Sequence, residues 1–287
     1  MNSSRILGHP NPRRYRTIWI SDVHLGTRAC RADLLLDFLR HHDADVIYLV
    51  GDIFDGSQLA RSWYWPQSHN DVVQKILRKV RKGSEVIYIP GNHDEGARAF
   101  VELTFGGVLV CSEAMHRTAS GQDLWVVHGD AFDAAVKFSP LLAWVGSQAY
   151  DLATAANVLI DHARVRMGAA PWSLAAAIKR NSRRVAAYIE AYEHAVIAEA
   201  RRREVDGVVC GHIHTPALKS VDGILYCNDG DWVESMTALV ETDSGELRVI
   251  DWKAIEALAQ ETGPAPLQQP FPVSTTKGGH LAHSPGH

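Results

Sequence analysis

The chain of 287 residues lacks several features that would point to whole classes of function. It has no surplus of basic residues. Its 29 Lys and Arg stand against 33 Asp and Glu, a net charge of −4, so no global positive field recruits nucleic acid. The four cysteines, Cys30, Cys111, Cys210 and Cys227, are widely spaced and form no Cys-x-x-Cys pair. They read as core or reduced thiols, and a reducing cytosol is their natural compartment. The segment Met1–Arg14 is polar, carries Pro10 and Pro12, and has no apolar core of the kind a signal peptide needs. No internal repeat is visible. One apolar stretch, Phe138–Ile160, has a single formal charge, Asp151, and approaches the ~20 residues of a membrane span. Pro140, Gly146, Ser147, Gln148, Asp151 and Asn157 interrupt it, so it is not expected to cross.

What the chain does contain is five short polar clusters, each directly after a run that reads as a β-strand. Arg16–Ile20 leads to Asp22-Val23-His24, and Asp45–Val50 leads to Gly51-Asp52-Ile53-Phe54-Asp55. Glu85–Pro90 leads to Gly91-Asn92-His93-Asp94, Leu124–Val127 to His128-Gly129-Asp130, and Asp206–Cys210 to Gly211-His212-Ile213-His214. Short uninterrupted apolar runs read as strands buried on both faces of a central sheet. Loops at the carboxyl ends of such strands are where open α/β folds gather ligand groups. Any one cluster alone is an ordinary polar turn. The joint pattern sets them apart from His41, His42, His69, His116, His162 and His194, which read as surface or helix histidines. Seven oxygen and nitrogen donors, from Asp22, His24, Asp52, Asn92, His128, His212 and His214, can hold two divalent cations in one pocket. Such a pair, ~3.5–4 Å apart, activates water at neutral pH and clamps phosphoryl oxygens during in-line displacement.

These motifs, in this order from about Trp19 to Trp232, resemble those of the calcineurin-like metallophosphoesterases. Within that family the chain is most similar to the UDP-2,3-diacylglucosamine pyrophosphatases of lipid A synthesis and their bacterial relatives. The narrower likeness rests on Ser21–Gly26, the His128-Gly129-Asp130 form of the fourth motif, the long segment before Gly211, and Asn228–Ser235. One position departs: His93 stands where the best-known pyrophosphatases carry Arg, and it matches the general phosphoesterase form. The resemblance implies an α/β sandwich of two β-sheets flanked by helices, with a helical cap insert. It also implies a first metal on Asp22, His24, Asp52 and His214, and a second on Asp52, Asn92, His128 and His212, with Asp52 bridging. A mixed imidazole, carboxylate and amide set suits manganese, iron or zinc better than Ca²⁺; manganese is the expected metal, with zinc, iron or magnesium as alternatives. In the family the histidine at position 93 assists leaving-group departure, oriented by a carboxylate. Asp94 and Asp55 are the nearest candidates; Asp94 also reads as a plain helix N-cap, and Asp55 as a hydrogen-bond partner of a metal ligand.

Between His128 and Gly211 the segment Phe132–Arg203 has helical composition. Phe138–Ile160 reads either as a core helix or as a lid whose apolar side receives acyl chains or faces a membrane. Asp161–Arg203 carries nine basic and four acidic residues, an excess of five. It is either a solvated basic face or a binder of diphosphate or anionic headgroups, with Asn181 and Arg184 as candidate substrate contacts. One catalytic domain spanning 16–262 is expected, with the insert at 132–203, a mobile arm at 1–15 and a disordered Pro- and Gly-rich tail at 263–287. Met236–Glu241 and Glu246–Asp251 read as a hairpin, expected to contribute to a second sheet. The expected partner is a lipid-linked or nucleotide diphosphate. The expected location is the cytoplasm, peripherally on the inner face of the membrane. A related phosphodiesterase or phosphomonoesterase is the alternative. A non-catalytic scaffold would be expected to have lost a ligand or His93, and none is lost.

Overall fold

The computed structural model describes residues 12–134, 183–255 and 257. In chain order the elements are β1 (Arg13–Ile20), α1 (Ala32–His41), β2 (His42–Val50), α2 (Gly56–Arg61), α3 (Gln67–Arg81) and β3 (Glu85–Ile89). They continue with β4 (Thr104–Phe105), β5 (Val108–Val110), β6 (Ala114–Arg117), β7 (Asp123–Val126), α4 (Arg183–Arg202) and β8 (Gly207–Cys210). The last are β9 (Ala217–Val221), β10 (Ile224–Asn228), β11 (Thr237–Glu241) and β12 (Leu247–Asp251). Two mixed sheets result, one ordered β12-β11-β1-β2-β3-β5-β4 and the other β6-β7-β8-β10-β9.

The strands alternate with period 2, and both faces are apolar because both are covered. Ile18, Ile47, Leu49, Val86 and Tyr88 face outward and pack with Leu35, Phe38, Val72 and Ile76 of α1 and α3. Their neighbours Trp19, Tyr48, Val50, Ile87 and Ile89 face inward and meet Leu124, Val126, Val209 and Cys227 of the other sheet. On the far side, Tyr192, Val196, Ile197 and Ala200 of α4 cover Trp125, Val208 and Tyr226. The layers are therefore helix, sheet, sheet, helix. Fully burying each large apolar side chain contributes roughly 1.5–3 kcal/mol.

Four sequence expectations change. The five ligand-bearing strands do not share one sheet: β1, β2 and β3 lie in the first, β7 and β8 in the second. The hairpin β11–β12 extends the first sheet, through antiparallel pairing of β11 with β1. His42 and His116, expected on the surface or in helices, are buried in β2 and β6, whereas His69 is a helix histidine of α3. His116 sits between the sheets, with Nε2 2.8 Å from Glu241 Oε2. The strand β1 also begins at Arg13, paired with His42, three residues before its expected start at Arg16.

Of the insert, the ends are described: a short 3-10 helix Asp130–Ala134 and α4. The readings for Phe138–Ile160 and Asn181, the arm before residue 12 and the tail at 263–287 lie outside the described residues. Arg184 falls in the first turn of α4. At the other end of α4, Arg202 and Arg203 pair with Glu199, Arg203 also with Glu113, and Arg201 with Asp222. These three guanidinium groups are an ion-paired helix terminus.

Candidate metal centre

Within each sheet the ligand-bearing strands run parallel, so their carboxyl ends meet at one edge of the sandwich. Backbone hydrogen bonds stitch the loops together there. Asp22 N–H donates to Gly51 O (3.0 Å), His24 N–H to Asp52 O (2.9 Å) and Gly211 N–H to His128 O (3.2 Å). Across the two sheets, His212 N–H donates to Asp22 Oδ2 at 2.8 Å. Asp22, His24, Asp52, His212 and His214 all have positive φ, between 48° and 67°. For non-glycine residues that left-handed backbone is uncommon, and it clusters at functional sites. Gly91 gives the centre its close packing. A Cβ there would lie 2.3 Å from Asp52 Oδ1 and 2.6 Å from His128 Nε2.

Among the described residues three donor clusters form, each with its ligand atoms within 4.8 Å of one another. They are Asp22–His24–His214, Asp52–His128–His212 and His24–Asp52–His93. The first two follow the partition that the resemblance implied. Asp52 lies between them, with Oδ2 3.9 Å from His24 Nε2 and 3.5 Å from His128 Nε2. Asn92 is exposed on the adjoining loop, which His93 N–H anchors to Asp52 Oδ1 at 2.8 Å.

The donors fit divalent cations. His24 Nε2 and His128 Nε2 are buried without a hydrogen-bond partner. Their other ring nitrogens are occupied: His24 Nδ1 lies 3.3 Å from Asp55 Oδ2, and His128 Nδ1 2.8 Å from Val50 O. A buried orphan nitrogen costs about 1–3 kcal/mol, and a metal ligand held by its far nitrogen has this arrangement. The electrostatics agree. Burial opposes a charge on His128, yet Asp52, Asp22 and the Val50 carbonyl outweigh it and push the imidazole up to about 10. Burial likewise opposes ionisation of Asp22, and the imidazoles of His214, His128 and His24 hold it well below the carboxylate range. Asp52 is drawn down to about 2, burial again being outweighed by His128. A pocket that draws protons onto buried imidazoles attracts metal cations for the same reason.

His93 stands beside this set, its Nδ1 3.1 Å from Asp55 Oδ2. That hydrogen bond raises the imidazole above its ordinary value against burial. Asp94 does something else. It occupies the cap position of the 3-10 helix Glu95–Phe100 but makes no side-chain cap. Its carboxylate accepts from the N–H groups of Ile53 (2.8 Å), Asp52 (3.3 Å) and Gly91 (2.5 Å) and from the Tyr88 hydroxyl. It ties the loop after β2 to the loop after β3. Of the two carboxylates offered to orient His93, it is Asp55 that contacts its Nδ1.

Several supporting residues escaped sequence reasoning. Ser21 Oγ lies 2.5 Å from Asp22 Oδ2 and 2.6 Å from Asp229 Oδ1. Asp133 Oδ2 lies 2.9 Å from His212 Nε2. The carboxyl-rich Asn228–Ser235 run was the available signal for Asp229, whereas nothing local distinguished Asp133.

Comparison with known proteins agrees with this geometry. The profile of the calcineurin-like phosphoesterase family matches residues 15–216. A UDP-2,3-diacylglucosamine hydrolase of Xanthomonas campestris pv. campestris is 29% identical over 246 residues, covering 78% of this chain and 94% of its own. The enzyme of the same name from Stenotrophomonas maltophilia is 27% identical, covering 85% and 99%, and that of Chromohalobacter salexigens 24%, covering 70% and 81%.

Proposed function

The chain belongs to the calcineurin-like phosphoesterase family, and from that premise we propose that it hydrolyses the diphosphate of UDP-2,3-diacylglucosamine. Water adds across the P–O–P bridge and gives UMP and 2,3-diacylglucosamine 1-phosphate. The observation that carries the reading is the pair of donor clusters flanking Asp52 in a chain whose relatives bear that name.

Asp22, His24, Asp52 and His214 would hold one cation, and Asp52, Asn92, His128 and His212 the other, with manganese the first candidate. When bound, such ions supply Lewis acidity toward water and phosphoryl oxygens. Asp55 fixes His93 through Nδ1, which leaves Nε2 to carry the proton for the departing phosphate oxygen. Asp94 keeps the Asp52 and His93 loops in register. Asn181 and Arg184 are proposed substrate contacts from the insert.

An apolar cavity of ≈ 240 Å³ lies between the first sheet and α3, with Leu49, Val73 and Ile76 in its wall and none of the metal-ligand candidates. Leu25, Ile53, Phe54 and Tyr88 line it from the ligand-bearing segments, with Phe100 and Phe105 also in its wall. Among the described residues no helix is long and apolar enough to cross a membrane. We place the protein peripherally, at the cytoplasmic face of the membrane that would hold this substrate.

His93 favours a second reading, a phosphodiesterase or phosphomonoesterase acting on another nucleotide or lipid phosphate. Comparing kcat/KM for UDP-2,3-diacylglucosamine, UDP-glucose and bis(p-nitrophenyl) phosphate separates the two. Each buried methylene is worth ~0.8 kcal/mol, so the acylated substrate should be preferred by orders of magnitude. Equal values for the three would overturn the lipid assignment and favour the second reading.

A further inference from the structure

The insert departs just after the 3-10 helix Asp130–Ala134 and returns on α4, and one side chain from each end converges on His212. Asp133 Oδ2 lies 2.9 Å from His212 Nε2, and the Tyr188 hydroxyl donates to Asp133 Oδ1. Tyr192, one turn further along α4, places its ring 5.9 Å from that of His212. Its hydroxyl packs against Gly129, where a Cβ would lie 1.9 Å away. Of the remaining imidazoles, His24 is braced by Asp55 and His128 by the Val50 carbonyl, and His214 Nε2 lies 3.0 Å from Asp22 Oδ1.

We infer that Asp133 and Tyr188 are positioning residues for the second metal, so that packing of α4 on the 3-10 helix Asp130–Ala134 and loading of that metal are coupled through His212. The inference rests on the two-metal reading above. With Nε2–H donated to a carboxylate, the imidazole keeps its lone pair on Nδ1 and its ring plane is fixed, which is the state a metal requires. Tyr188 in turn fixes the carboxylate. Because the coupling runs through one ligand, its loss should weaken one metal and spare the other.

The test is titration of the metal-free full chain with Mn²⁺, following free ion by electron paramagnetic resonance. Wild type is compared with Asp133→Asn, Tyr188→Phe and Asp133→Glu, and each metal-free protein is melted in parallel. Asp133→Asn should weaken one of two bound ions by about 10–100-fold and leave the other unchanged. The metal-free melting curve should stay in place. Tyr188→Phe should act in the same direction but less, and Asp133→Glu should restore part of the loss. Wild-type affinity for both ions in Asp133→Asn, or equal weakening of both, would overturn the inference. Fewer than two ions on the wild type would overturn the two-metal reading along with it.

Discussion

The Asp55 carboxylate holds the His93 imidazole, Oδ2 to Nδ1, at 3.1 Å. The pair sits at the rim of the donor set, and Asp55 itself is fixed by Gln58 N–H at 2.8 Å and the Ser57 hydroxyl at 2.9 Å. A histidine so anchored has one free nitrogen and one orientation.

His93→Ala should therefore lower kcat by about 10²–10⁴ on a substrate with an unactivated leaving group, while both metals stay bound. Asp55→Asn should fall in the same direction by a smaller factor. Steady-state kinetics beside metal analysis checks this. Unchanged kcat would remove His93 from the chemistry.

Chelation should abolish hydrolysis, and manganese should restore it. Added metal should also stabilise the fold. A ligand at 100 times its Kd contributes ~2.7 kcal/mol, visible as a rise in Tm with metal concentration. Activity that survives exhaustive chelation would contradict the assignment.

Gly91→Ala introduces one methyl group between Asp52 Oδ1 and His128 Nε2, at 2.3 and 2.6 Å. Neither partner can move without leaving its ligand position. The variant should retain its circular dichroism spectrum and lose most of its metal affinity and activity. Normal metal binding would show that the two loops are looser than the packing implies.

Much of the site was legible because each ligand lies within a few residues of a strand end, and apolar runs and polar turns are local signals. The partition of strands was not legible. A run such as Leu124–Val127 reports that both of its faces are buried, not which sheet covers them. The same limit hid His116, whose burial depends on Glu241, Thr17 and Tyr48, all distant in the chain. Asp133 was invisible because its partner, His212, is brought to it only by the second sheet.

Glu241 supplies a pH prediction. It is buried between the sheets, and although burial opposes its charge, His116, Ala119 N–H and Arg16 draw it down to about 2. A depressed carboxyl stabilises the fold above its unfolded value near 4.5, and that stability is lost as pH falls toward 2. The contribution is on the order of 3 kcal/mol. Glu241→Gln should be less stable at neutral pH and show a flatter acid limb in urea melts between about pH 5 and 2. Parallel limbs in the two proteins would remove Glu241 as the cause.

The division of ligands between two sheets also dictates when the centre can exist. While a chain is still emerging from the ribosome, the loops after β1, β2 and β3 supply Asp22, His24, Asp52, Asn92 and His93, without the histidines of the second sheet. His212 and His214 arrive with β8, and Asp229, which braces Ser21, arrives later still, after β10. A chain ending before β8 therefore lacks His212 and His214, and one ending before β10 still lacks Asp229.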